Sequence, residues 1–136
     1  MPPEISYALE PHLTADEFID VLKRSTLAER RPIDDVPRMD QMLRQAQVIV
    51  TARAGGRLVG ISRALSDFCY ATYLADLAVD REFQGRGIGR QLIEETRRAA
   101  GPQTMIILIA APGARTYYPR IGMQPHDSCW VINRDN

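Results

Sequence analysis

Little in this chain commits it to a membrane, a metal or a nucleic acid. Its longest apolar run, Met105 to Ala111, is the length of a strand and far short of a membrane span. Lysine plus arginine and aspartate plus glutamate each number 17, so no overall field draws the protein onto a polyanion or a lipid surface. The two histidines, His12 and His126, stand alone, and no Cys/His/carboxylate set has ligand spacing, so no metal is expected. Only two cysteines occur, Cys69 and Cys129, and they read as free thiols rather than a disulfide. No serine or cysteine lies in a nucleophile-elbow setting. The start, Met1-Pro-Pro-Glu-Ile-Ser, lacks a basic stretch followed by an apolar one, and a cytoplasmic location is expected. With 136 residues, 45% hydrophobic and 25% charged, the chain is expected to form one globular domain, residues 1–136.

Periodicity gives the element order β-α-α-β-β-β-α-β-α-β. Ile5, Tyr7 and Leu9 alternate as a short edge strand. Thr14, with Glu17 three residues on, has capping-box spacing for a helix to about residue 25. Residues 26–36 read as a loop, and Pro37 to Gln45 as a short helix with proline in its first turn. Val48–Ala54, Leu58–Leu65 and Ala71–Val79 read as an antiparallel meander, its first turn being Ala54-Gly-Gly-Arg57. Gly87 to Ala100 is the clearest helix and stops at Gly101-Pro102. Met105–Ala110 reads as a strand covered on both faces, residues 113–118 as a short helix, and Cys129–Asn133 as a strand closing the sheet. The fold class expected is α/β: a mixed, mostly antiparallel sheet with helices on both faces.

The segment from Leu77 to Arg90 carries the chemistry. Leu77, Ala78 and Val79 end a strand; Gly85, Gly87 and Gly89 then leave the main chain bare where a helix opens. The first N–H groups of a helix have no internal partners and carry partial positive charge. Glycine admits close approach to them, and Arg86 and Arg90 add charges suited to phosphate oxygens. The segment reads as a pyrophosphate cradle. A P-loop needs Lys-Ser/Thr after the last glycine, where Arg90-Gln91 stands. A dinucleotide fingerprint needs Gly-x-Gly-x-x-Gly and an acidic residue about 20 positions on. Here the spacing is Gly-x-Gly-x-Gly, and residues 101–114 contain no carboxylate.

Gln84-Gly-Arg-Gly-Ile-Gly89 resembles the Gln/Arg-x-x-Gly-x-Gly/Ala coenzyme A signature of the GNAT superfamily of N-acetyltransferases. Val79-Asp80 before it and Tyr118-Pro-Arg-Ile-Gly-Met123 after it match the superfamily's strand end and terminal tyrosine motif, so that the resemblance covers roughly residues 47–125. The stretch from Arg63 to Ile88 is similar to small bacterial and plastid-type members, some of which act on arylalkylamines.

The resemblance implies acetyl-CoA as cosubstrate, with its pyrophosphate on Gln84, Gly85, Arg86, Gly87, Ile88, Gly89 and Arg90 and its pantetheine arm beside Leu77, Ala78 and Val79. It implies direct transfer to a primary amine, on a small molecule or a peptide, with Tyr118 as general acid. Spacing to Gly122 favours Tyr118 over Tyr117. Two positions where relatives carry a Glu base and an Asn hold Ile106 and Ala111 instead. The base is then Asp76 or a water chain, and a non-catalytic acyl-CoA-binding sensor is the alternative reading. Residues 14–45 and 63–73 are expected to wall the acceptor pocket, with Phe68, Tyr70 and Tyr73 as an aromatic slot. A homodimer through the C-terminal strands is common among relatives.

Overall fold

In the computed structural model the described residues are 4–135, so Met1-Pro-Pro at the start lies outside them. Five strands form one sheet in the order of the chain: β1 (Ile5–Leu9), β2 (Val48–Ala54), β3 (Arg57–Ser66), β4 (Ala71–Val79) and β5 (Met105–Ile107). The first three pairings are antiparallel; β4 and β5 run parallel. No helix among the described residues is long and apolar enough to cross a membrane.

Two helices cover one face. In α1 (Ala15–Ser25), the Thr14 hydroxyl accepts the Glu17 N–H at 3.2 Å, half of the expected capping box. Phe18, Val21 and Leu22 face the sheet with no exposure. In α2 (Val36–Gln45), the Asp35 side chain caps the Arg38 N–H, and Met39 and Leu43 are buried. These residues meet Ile49, Leu58, Ile61 and Ala78 from the sheet. On the other face α3 (Ile88–Ala100) sets Ile88, Leu92 and Ile93 against Val48, Val50, Ala52, Val59, Ala64 and Leu74. The alternating pattern of β2 to β4 thus feeds two cores, one per face.

Three expectations are corrected in the last third of the chain. The strand expected over 105–110 ends at Ile107, with Met105 and Ile107 exposed, because nothing packs over that face of β5. The helix expected over 113–118 is a 3-10 turn, Pro112–Ala114, followed by α4 (Tyr117–Arg120). Residues 129–133 form no strand: Trp130 and Ile132 are almost wholly exposed, and no hydrogen bond ties them to the sheet. Strand propensity expresses fit to a half-buried pleated surface, and here that surface is missing. Smaller differences occur earlier, where a 3-10 turn at Leu27–Arg30 occupies part of the expected loop.

Helix α1 ends on Thr26, whose φ of 78° is the left-handed region that side chains other than glycine's resist. Its side chain is exposed and makes no hydrogen bond. Thr26→Gly is therefore expected to raise folding stability by about 0.5–1 kcal/mol, the relieved strain exceeding the added chain entropy. A higher urea midpoint at unchanged m-value is the readout.

Candidate active site

The site begins where β4 and β5 part. Their pairing runs only from Ala71–Met105 to Tyr73–Ile107, after which β4 continues to Val79 and the other strand turns away. Beyond Tyr73 that edge of β4 has no strand partner, and a gap opens along Leu74 to Val79. A bulge lies at its start: Arg63 pairs with Asp76 but Ala64 with Leu74, leaving Ala75 as an extra residue. Such bulges re-aim a strand next to functional sites. Ala78 turns into the α1 core, while Leu77 and Val79 lie half-buried on the α3 face.

At the far end of the gap stands the start of α3. Gly87 caps it with φ 80°, Gly85 has φ 79°, and no side chain caps the helix. The first helical bond is from Gln91 N–H to the Gly87 carbonyl at 3.1 Å, so the N–H groups of Ile88, Gly89 and Arg90 have no partner within the helix. A methyl group added at Gly85 or Gly87 would touch nothing within 4 Å, so the space above both is open. Gln84 donates from Nε2 to the Val79 carbonyl at 3.0 Å and so braces the loop against the strand end. Asp80, buried at that corner, accepts the Glu82 N–H at 2.9 Å and an Arg24 Nη1 bond at 2.5 Å. Arg86 lies over the Phe83 ring at 4.9 Å, and neither Arg86 nor Arg90 has an acidic partner among the described residues. Unpartnered amides, two free guanidiniums and vacant space fit a diphosphate-bearing ligand.

Both tyrosines of α4 approach this region. Tyr118 packs into the α3-side core, and its hydroxyl has no hydrogen-bond partner among the described residues. Since no sealed side-chain polar atom among the described residues lacks a partner, that hydroxyl opens to solvent. Burial, and then the neighbouring Tyr117, raise its pKa above the ordinary phenol value. Pro119 does not prevent Tyr118 from being helical. Tyr117 is the residue that spacing overlooked. Its hydroxyl lies 2.6 Å from where a Gly89 Cβ would sit, over the start of α3, so Gly89 is needed there for its small size. Burial raises the Tyr117 pKa, and Arg90 opposes that shift.

Asp76 is not the free carboxylate that its position suggested. Arg31 Nε donates to Oδ1 at 2.5 Å and Arg63 Nε donates to Oδ2, while the side chain is fully buried. Arg31 Nη2 also donates to the carbonyl of the bulge residue, Ala75, at 2.9 Å. Both carboxylate oxygens are engaged by cations, so Asp76 holds structure and is corrected as a candidate base. Of the aromatic slot, Tyr73 alone borders the gap. Phe68 and Tyr70 belong to the turn before β4, where the Asp67 side chain accepts three backbone N–H groups.

The site is thus a sheet split between parallel strands, with a bare helix start at the split. The profile of the acetyltransferase (GNAT) domain matches residues 25–131, and the chain belongs to the GNAT superfamily of N-acetyltransferases. Over 78 residues the chain is 37% identical to the uncharacterized N-acetyltransferase YjhQ of Escherichia coli (strain K12), a match covering 43% of this chain and 41% of that protein. Over 70 residues it is 33% identical to GCN5-related N-acetyltransferase 2, chloroplastic, of Arabidopsis thaliana, covering 50% and 27%. The match thus spans less than half the length of these curated relatives. Among solved structures, the aminoglycoside N-acetyltransferase AAC(6')-Iy in complex with CoA superimposes with TM-score 0.75 at 15% identity, over 100% of this chain and 98% of that one. The ribosomal-protein-alanine N-acetyltransferase of Brucella melitensis biovar Abortus 2308 gives TM-score 0.70 at 24% identity, over 96% and 99%. At these identities the likeness is one of fold.

Removing the anion between a buried guanidinium, Arg63, and a partly buried one, Arg31, leaves uncompensated charge. Asp76→Asn is expected to cost about 3–5 kcal/mol of stability, seen as a lowered denaturant midpoint. A free general base would instead lose turnover while stability stayed unchanged.

Proposed function

We propose that this chain transfers the acetyl group of acetyl-CoA directly to a primary amine in a ternary complex. The observation that carries the reading is the open space over Gly85 and Gly87 together with the unpartnered N–H groups of Ile88, Gly89 and Arg90. A diphosphate there places a pantetheine arm along the free edge of β4 at Leu77, Ala78 and Val79, whose main-chain groups pair with amides as an added strand would. Acetyl-CoA supplies a thioester, in which attack by a neutral amine forms the C–N bond and breaks the C–S bond. A β4 main-chain N–H at the gap serves the thioester carbonyl as an oxyanion donor. Tyr118, kept protonated by its raised pKa, donates to the departing thiolate and is reprotonated through water as the new amide nitrogen sheds its second proton.

The amine must lose a proton. At a pKa of about 10.4, making it neutral at pH 7 costs about 4–5 kcal/mol. Asp76 is engaged, so the proton leaves through water to bulk solvent. The same engagement favours a second reading, an acyl-CoA-binding protein without catalysis. The exposed free thiols Cys69 and Cys129 suit a reducing compartment such as the cytoplasm. Acceptors of both kinds, small amines and peptide amines, fit the superfamily, and a homodimer is compatible with the open edge of β5.

Titration calorimetry with acetyl-CoA tests the foundation: the wild type is expected to bind, and Gly87→Glu to abolish binding by placing a carboxylate against the phosphates. Absence of wild-type binding defeats the proposal. Tyr118→Phe is expected to lower kcat about 10²-fold or more with acetyl-CoA affinity unchanged. Without a carboxylate base, kcat/KM for the amine is expected to rise about tenfold per pH unit between pH 6 and 9, following the neutral amine. The raised Tyr118 pKa keeps the acid form throughout that window. A plateau near pH 7 would reveal a base that this reading lacks.

A further inference from the structure

On the α1–α2 face of the sheet a cavity of about 310 Å³ lies between α2 and β3. Arg38, Gln41, Met42 and Gln45 line it from the helix, spaced i, i+3, i+4 and i+7 and therefore one stripe; Arg63 and Leu65 line it from the strand. No acidic side chain lines it. The acids closest in sequence face elsewhere: the Asp35 side chain caps the Arg38 N–H, and Asp40 pairs with Arg44.

The charge of this wall is unbalanced. Asp76 is one anion held between two cations, Arg31 and Arg63, so the buried cluster carries one net positive charge. Beyond its bond to Asp76, Arg63 donates from Nη1 to the Met42 carbonyl, at 3.4 Å, and among the described residues Nη2 has no acceptor. Arg38 has no acidic partner among the described residues. Two guanidiniums thus flank one cavity with donor capacity unspent.

Through Arg63, which donates to Asp76 on β4, the cavity reaches the strand that edges the gap. Leu65 pairs with Tyr73, which pairs with Ile107, the last rung before β4 and β5 separate; Arg63 pairs with Asp76 just past the bulge. Tyr118 lies on the opposite, α3-side face of the sheet. An acceptor seated on the α2 side therefore meets the gap from the face that the proposed acid leaves free.

We infer that Arg38 and Arg63 bind the carboxylate of the acceptor, which is a small molecule carrying amine and carboxylate together, as an amino acid does. The inference rests on the acetyl-transfer reading above. Guanidinium geometry matches a carboxylate with two parallel N–H···O bonds, whereas an uncharged amine leaves both arginines facing empty space. The volume is at the small end of ligand sites, with room for one amino acid.

Matched acceptors test it: phenylalanine against phenethylamine and lysine against cadaverine, by coenzyme A release with the whole chain. A second arm reads binding of N-acetylphenylalanine against N-acetylphenethylamine by calorimetry with coenzyme A present, which needs no turnover. The acid member of each pair is expected to be preferred at least about tenfold. Arg38→Gln is expected to erase most of that preference through KM, with kcat and acetyl-CoA affinity unchanged; Arg38 is an exposed position that the fold tolerates. Equal or better use of the decarboxylated amines, equal binding of the two products, or a preference that survives Arg38→Gln overturns the inference. A wild type that fails to bind acetyl-CoA overturns the reading beneath it, and the calorimetric titration with that ligand separates the two failures.

Discussion

A strand that leaves its neighbour must find other partners for its main chain, and β4 beyond Tyr73 finds them on one side only. Its pairing with β3 continues to Val79, while the side facing β5 stays unpaired after three rungs. Inside a protein an amide or carbonyl left without partner costs about 1–3 kcal/mol, so a stretch of them persists only where water or a ligand reaches it. This opening positions the parts of the candidate site. The glycine loop begins where β4 ends, α3 starts where the loop ends, and α4 returns from the diverging strand to set its tyrosines beside α3.

The opening is held by charge as well as by register. At the bulge the extra residue, Ala75, turns its carbonyl to Arg31, and the next residue, Asp76, takes the same guanidinium through Nε. Burying a carboxylate is unfavourable unless cations and hydrogen bonds compensate it, and here two arginines from different elements do so. The arrangement is better understood as fixing one geometry than as adding net stability. It determines where β4 bends, and thus where its free edge points.

Much of this was legible in the residues. The spacing of Thr14 and Glu17, the Gly-Gly turn and the alternation of β2 to β4 report local physics, and local physics decided those elements. The glycine loop was legible too, because Gly85 and Gly87 occupy positive φ that other residues resist. The partners of Asp76 were not. Arg31 is 45 residues away and Arg63 is 13 away, and nothing in either segment marks them as ends of one ion cluster. Tyr117 escaped for a similar reason, since its place over Gly89 depends on how α4 returns to α3. The C-terminal segment misled in the opposite direction. Cys129–Asn133 has strand-forming residues, but propensity is realised only on a surface that receives it, and β5 presents three residues with an unpaired outer edge.

Arg31 ties the bend in β4 to the segment between α1 and α2. It follows the 3-10 turn Leu27–Arg30 and lies on the segment joining α1 to α2, the helices that cover the face where the acceptor is proposed to sit. A single side chain therefore ties that segment to the bulge at the mouth of the gap. Any shift of the joining segment moves the donors on the Ala75 carbonyl and the Asp76 carboxylate together, and with them the edge along which the acyl carrier is proposed to lie. The proposed acceptor wall and the proposed acyl site then share hydrogen bonds rather than merely a neighbourhood. Attack of an amine on a thioester requires both reacting atoms within about 3–3.5 Å of each other, a tolerance smaller than the drift of an untethered loop. Rigid coupling of the two walls through one buried anion is a physical means of meeting it.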